Sequence, residues 1–319
     1  MYNLGIDIGG TKCAVILGRG IKSDRVDEII ADKIAFPTRA ERGWRAVMAD
    51  ILAAGDALLQ KNGLSNAEIR AAGISCGGPL DSKRGLIQCP PNLPDWDDVP
   101  VTKLIGEHFG CPAAVQNDAN ACAVAEWKFG AGRGLTNMIF LTFGTGMGAG
   151  LILNGQLYAG TTDLAGEAGH LRLADDGPEG YGKRGSFEGF CSGGGIKRLG
   201  VQMLSDAKAA GRESALFSEA DLSAKTIAVA AKNGDALAKE IYEESARRLG
   251  QGLSILIDLL NHEAIVIGSI YTRDEGLFKE IAEDVIRREC LPGSAAACRL
   301  LKAELTENIG DIAALGLVM

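Results

Sequence analysis

No pair of the eight cysteines forms a C-x-x-C, which leaves no redox motif of that kind and no zinc ribbon built on one. Several, such as Cys13 and Cys122, lie in apolar runs and are expected to be buried, reduced thiols. No stretch concentrates Lys and Arg, and the formal net charge is −8. That argues against nucleic acid or an anionic membrane as the main partner. No apolar run reaches the roughly 18–20 residues of a membrane span. Asp7 interrupts the opening apolar segment too early for a signal peptide. A cytoplasmic protein is the expectation. There is no low-complexity tract and no Ser- or Pro-rich linker.

What is present is a chain of 319 residues, 46% apolar and 23% charged, long enough for two domains. Strand-like and helical segments alternate, so the class is α/β. Leu4 to Ile8 and Cys13 to Leu17 read as a hairpin, and Glu28 to Phe36 as a third strand. Trp44, Val47, Met48, Ile51 and Leu52 recur at helical spacing. Residues 77–98 form a long loop rich in Pro, Gly, Asn and Asp, and loops of that length are often functional. Asn154-Gly155 between apolar runs signals a tight hairpin. A final helix is predicted near Ile309 to Leu317.

Two glycine-tipped segments dominate the chemistry: Gly5-Ile6-Asp7-Ile8-Gly9-Gly10-Thr11-Lys12 and Gly144-Thr145-Gly146-Met147-Gly148. Neither runs into a helix, which removes the dinucleotide fingerprint, and neither fits the Walker A spacing. They remain hairpin tips. Glycines there expose backbone N–H groups with no Cβ in the way, and Thr11 and Thr145 add hydroxyl donors. Tight-turn geometry alone accounts for either tip singly. The pair, with an Asp and two Thr, points to a polyphosphate held from two sides. Asp7 is placed to hold magnesium directly or through water.

An acceptor site follows from the polar residues between and after the tips. Asp118 stands where a helix N-cap is expected, and its carboxylate can serve as the base for an alcohol. The helix end should keep it ionised and weakly basic. Asn117 can bond a sugar hydroxyl as donor and acceptor. Gly166-Glu167-Ala168-Gly169-His170 and Gly185-Ser186-Phe187-Glu188 add two carboxylates and an imidazole suited to a polyol. The other histidines, His108 and His262, read as structural or exposed.

In this order the motifs resemble the ROK family of sugar kinases and sugar-responsive repressors over nearly the whole chain. Gly77-Gly78-Pro79-Leu80-Asp81 resembles the family's sugar-contacting loop, in which a glycine backbone (here Gly78) meets the ring. Asn117-Asp118-Ala119-Asn120 resembles the segment with the catalytic base, and Glu167-Ala168-Gly169-His170 the E-x-G-H signature. The resemblance implies an actin-like ATPase (ribonuclease H-like) fold with two lobes around a central cleft. The domains expected are a small α/β one over 1–117, joined by a C-terminal helix at about 305–319, and a larger one over 118–304. It implies Asp118 as catalytic base, and Gly78, Asn117, Asp118, Glu167, His170 and Glu188 on the sugar. For ATP it implies Gly9, Gly10, Thr11, Lys12, Gly144, Thr145, Gly146 and Gly268, with magnesium at Asp7 and often a homodimer.

Two departures stand out. Most members follow E-x-G-H with C-x-C-G-x-x-G-C-x-E, whose three cysteines join the His on a structural zinc. Here Glu179, Tyr181 and Ser186 stand at the cysteine positions, while Gly182, Gly185 and Glu188 are kept, so no zinc is predicted. The family's late glycine run appears as Gly268-Ser269-Ile270.

The expected function is phosphorylation of a hexose hydroxyl, glucokinase-like and giving the 6-phosphate. N-acetylmannosamine, N-acetylglucosamine or fructose are alternative acceptors, and polyphosphate an alternative donor. A sugar-responsive repressor is less favoured, because the first phosphate motif begins at Gly5 with no helix-turn-helix ahead of it.

Overall fold

The computed structural model describes residues 1–20 and 25–319. The chain divides into two compact units, one of residues 1–134, 150–165 and 304–319, the other of 135–149 and 166–303.

The first unit is built on a five-stranded sheet of β1 (Tyr2–Ile8), β2 (Lys12–Arg19), β3 (Ile30–Pro37), β4 (Ile69–Cys76) and β5 (Ala113–Asn117), in the order β3-β2-β1-β4-β5. β1, β2 and β3 are antiparallel, and β4 and β5 run parallel to β1. The expected third strand starts two residues late, because Val26–Ile29 makes a helical turn first.

Period-two alternation places the side chains. Cys13, Val15 and Leu17 of β2 enter one core with Leu4, Ile6 and Ile8, while Ala14 and Ile16 enter another on the opposite face. Helix α1 (Trp44–Lys61) covers the first core with Val47, Met48, Ile51, Leu58 and Leu59, and α2 (Val101–Phe109) adds Ile105 and Phe109. Each such side chain contributes on the order of 1.5–3 kcal/mol by leaving water.

The opposite face carries α3 (Asp118–Phe129) and the C-terminal helix α8 (Ile309–Gly316), which share a core through Ala121, Ala125, Phe129, Ile312, Ala313 and Leu315. A Cβ on Gly73 of β4 would collide with the Ala314 carbonyl, and one on Gly5 would lie 2.9 Å from Leu315 Cγ. Gly5 therefore admits α8 to the sheet and is not part of the phosphate tip. Glu126, fully buried, accepts the N–H groups of Ala131, Glu304 and Leu305 and ties α3 to the segment leading into α8. The expected division after residue 117 assigned α3 to the second domain; its apolar face instead packs on α8 within the first unit.

The second sheet runs β8-β7-β6-β9-β10 and repeats the strand order of the first. Its strands are β6 (Met138–Phe143), β7 (Met147–Leu153), β8 (Gln156–Tyr158), β9 (Ala264–Ile267) and β10 (Arg299–Lys302). β9 is parallel to β6 and β10. β7 and β8 turn at Asn154-Gly155, where φ is 53° and 69°, the left-handed pair a two-residue hairpin requires. Helices α4 (Gly193–Ala209), α5 (Ala224–Lys232), α6 (Ala236–Leu260) and α7 (Lys279–Glu289) belong to the second unit. No helix among the described residues is long and apolar enough to cross a membrane.

Candidate active site

In the first unit the carboxyl ends of β1, β4 and β5 lie in register, Ile8 beside Cys76 and Cys76 beside Asn117. Asp7, Gly9, Gly78 and Asp118 therefore leave the sheet at one edge. In open α/β sheets that edge is where ligands bind.

The tip between β1 and β2 closes by a bond from the Gly9 N–H to the Lys12 carbonyl at 3.1 Å. Thr38, fully buried, holds it from behind: its hydroxyl donates to the Gly9 carbonyl at 2.6 Å and its N–H to the Thr11 carbonyl at 3.0 Å. A Cβ on Gly10 would come 2.5 Å from Asn92 Cβ, so the long loop presses the tip where only glycine fits. Thr11 and Lys12 are exposed at its crest.

Asp7 is half-buried, and its carboxyl is raised to about 6, first by burial and then by Asp311 and Asp118, with Lys33 and Lys12 acting against the shift. Lys33 Nζ donates to both carboxylate oxygens of Asp311 at 2.6 Å. Hard carboxylate oxygens with surplus negative charge suit magnesium, which commonly takes one or two carboxylates and completes its shell with water and phosphate.

The residue capping α3 is Asn117, not Asp118. Asn117 has extended backbone, and its side-chain oxygen accepts the Asn120 N–H at 2.7 Å. Asp118 is thereby the first helical residue, with its carboxylate free of the cap and accepting the Ala119 N–H at 2.8 Å. It keeps surface open to solvent, yet protein crowds it closely enough that desolvation raises its pKa against the Ala119 hydrogen bond. The expectation of a helix end keeping this group weakly basic is reversed: desolvation outweighs it. Among the described residues none accepts from the Asn117 side-chain amide, which leaves its N–H groups for a ligand. Gly78 is exposed, with open space where a Cβ would stand.

In the second unit the tip between β6 and β7 closes by Gly144 N–H to Gly146 O at 3.1 Å, and the Gly193 N–H at the start of α4 donates to Gly144 O at 2.8 Å. Glu188 Oε2 accepts the Met147 N–H at 3.0 Å. Gly169 packs on the other polar group of the same residue, since a Cβ there would collide with Met147 O and lie 3.2 Å from Glu188 Cβ. Gly166, at φ 94°, has equally little room against Ala149 O. These glycines set the turn Ala168–His170 directly on β7, with Glu167 exposed at its start and His170 half-buried.

Beside this tip lies a cavity of ≈ 870 Å³, within the range of small-molecule sites, lined by Gly144, Thr145, Gly193, Gly194, Ser269 and Ile270 among others. Lys197, Lys225 and Arg273 put positive charge on its wall. Gly268, expected on the nucleotide, is buried and faces the Phe140 ring and Ala303. Ser269 and Ile270 line the cavity in its place. Ser269 holds φ 55° and ψ −112°, a conformation that favours glycine.

Sequence reasoning missed Thr38, Asn92, Lys33 and Asp311, none of which sits in a motif. Thr38 could have been suspected as a threonine closing an apolar strand. The Lys33–Asp311 pair spans 278 residues and left no local signal.

A sequence model of the ROK family matches residues 3–319. The chain is 33% identical to the glucokinase of Streptomyces coelicolor over 291 residues, 89% of this chain and 86% of that one. It is 32% identical to the glucokinase of Halalkalibacterium halodurans, covering 98% of this chain and 93% of that one. The solved structure of a ROK family glucokinase from Streptomyces griseus, in complex with glucose and AMPPNP, superposes with a TM-score of 0.75 at 30% identity, covering 99% of each chain.

Proposed function

The chain belongs to the ROK family, with the actin-like ATPase fold, and from that premise we propose that it is an ATP-dependent hexokinase transferring the terminal phosphoryl group to a hexose hydroxyl, glucokinase-fashion, to give the 6-phosphate. The observation that carries the reading is the bond from the Met147 N–H to Glu188. A carboxylate suited to sugar hydroxyls is fastened to the strand that leaves a phosphate-binding tip, so acceptor and donor elements are positioned by one backbone unit.

In this reading the N–H groups and threonine hydroxyls of the two tips, Gly9 to Lys12 and Gly144 to Gly146, receive the donor phosphates. The cavity bounded by Gly193, Ser269 and Ile270 receives the nucleoside. Asp7 holds magnesium, which supplies charge neutralisation at the phosphates. Gly78, Asn117, Glu167, His170 and Glu188 hold the sugar. Asp118 accepts the proton of the attacking hydroxyl. Desolvation makes it a stronger base than an ordinary aspartate, and a loose phosphoryl-transfer transition state asks little more of it than correct placement. The relatives named glucokinase support glucose or a close relative as acceptor. A cytoplasmic homodimer is part of the same proposal, and sedimentation of the purified protein tests its stoichiometry.

The direct test is a coupled ADP-release assay over a panel of hexoses and N-acetylated amino sugars, with polyphosphate as an alternative donor. Turnover is expected with glucose and ATP. No turnover on any sugar would sink the kinase reading.

A further inference from the structure

We propose that Tyr181 and Lys183 are positioning residues that hold His170 for the sugar in place of a structural zinc. The proposal rests on the hexokinase reading only for its kinetic consequences.

The zinc implied by family resemblance does not fit the donors present. Tetrahedral structural zinc takes thiolates and imidazoles. Here the three thiolate positions hold the exposed Glu179, the phenol of Tyr181 and the hydroxyl of Ser186. Ser186 is fully buried and already committed, accepting the Gly189 N–H at 3.1 Å and donating to the Gly180 carbonyl at 3.4 Å. Among the described residues no group of three or more His, Cys, Asp and Glu side chains converges as metal ligands would.

The same segment instead folds as a hairpin over His170. Glu179 pairs with Arg184 and Gly180 with Lys183. Lys183 Nζ donates to the His170 carbonyl at 2.7 Å, which fixes the backbone of the imidazole-bearing residue. The Tyr181 ring meets the His170 ring edge-on, with centroids 5.3 Å apart and planes at 71°, a favoured aromatic geometry. Arg172 donates to the Arg184 carbonyl at 2.8 Å, and the Leu173 N–H to the Gly185 carbonyl at 2.9 Å, so the hairpin is anchored to the segment that follows His170.

A second observation singles out the tyrosine. The turn uses Tyr181 at φ 45° and Gly182 at φ 74°, the left-handed pair for which Asn-Gly is the favoured sequence. A bulky aromatic in that conformation is uncommon and strained. The residue is 71% exposed, so burial does not account for it. Contact with His170 does. Among the described residues nothing bonds either ring nitrogen of His170, which leaves both for hydroxyls.

The experiment begins with the wild type. Failure to phosphorylate any hexose would remove the hexokinase reading and leave the positioning claim to its second readout. Given turnover, Tyr181→Ala and Lys183→Met should each raise the sugar KM about tenfold, the scale of losing a group that orients a ligand, with a smaller fall in kcat and no change in the ATP KM. Tyr181→Phe should restore the wild-type sugar KM, because the ring and not the hydroxyl makes the contact. The second readout needs no activity. Proton NMR of the imidazole resonances, assigned with a His170→Asn variant, should show a ring-current shift lost in Tyr181→Ala and kept in Tyr181→Phe. Unmoved resonances, or a wild-type sugar KM in both Tyr181→Ala and Lys183→Met, overturn the proposal. So does about one zinc per chain whose removal by chelator raises the sugar KM.

Discussion

Glu188 and Met147 are 41 residues apart in sequence, yet the Glu188 carboxylate accepts the Met147 N–H at 3.0 Å at the foot of the second glycine tip. One oxygen is thereby spent on fixing the tip, and the other has no partner among the described residues and is left for a ligand. A bond to a charged acceptor contributes on the order of 1.5–3 kcal/mol, enough to matter to both substrates.

Glu188→Ala should therefore raise the KM for ATP and for sugar together. Glu188→Gln, whose amide oxygen can still accept from Met147, should leave the ATP KM near wild type and weaken the sugar alone. Initial-rate kinetics with both substrates varied decides this; a Glu188→Ala variant impaired on sugar only would deny the link between tip and acceptor.

Asp118 carries the proton transfer in the proposed reaction. Asp118→Asn should lower kcat by roughly 10²–10⁴-fold, the range of positioned general bases, while calorimetry still detects sugar binding. Because desolvation raises this carboxyl, the ionised base is lost at a higher pH than for an ordinary aspartate. The acid limb of the wild-type kcat profile should accordingly lie at higher pH than an ordinary aspartate would give.

His262, between α6 and β9, is fully buried, and neither ring nitrogen has a hydrogen-bond partner among the described residues. Burial lowers its pKa to about 4. An unfolded histidine takes up its proton near pH 6.5. The depressed group thus contributes stability that is fully present above that pH and is lost as pH falls toward 4. The loss amounts to about 3 kcal/mol at most. Urea unfolding at several pH values, compared with His262→Leu, should show the wild type losing more stability than the variant across this window.

Gly73→Ala places a methyl against the Ala314 carbonyl in the tight contact between β4 and α8. Overpacking of this kind costs about 1–3 kcal/mol, and here it must push the C-terminal helix off the sheet. Thermal unfolding should show a Tm lower by several degrees, whereas Gly63→Ala, at a glycine with no atoms nearby, tests for a turn effect alone.

Much of the fold was legible because its signals are local. Short apolar runs in β1 and β2, helical spacing in α1 and the Asn154-Gly155 turn each depend on neighbours within a few positions. The two tips, leading into strands, were separable from helix-linked phosphate loops on the same grounds. The helix cap was misread by one residue. Asn117 and Asp118 are both good caps, and only the backbone conformation at Asn117 decides between them. The place of Gly5 was hidden for another reason: its purpose lies in Leu315, at the other end of the chain.

The sequence by itself determined the class of elements, the two glycine tips and the residue types suited to phosphate and polyol, because these follow from backbone freedom, periodicity and side-chain chemistry. Tertiary structure alone decided that Glu188 bonds the second tip, that surrounding protein raises the Asp118 carboxyl, that Lys33 neutralises Asp311 and that Tyr181 lies against His170. Each depends on groups far apart in the chain brought within a few ångströms. Coulomb and desolvation energies at that range are set by packing, which no local pattern encodes.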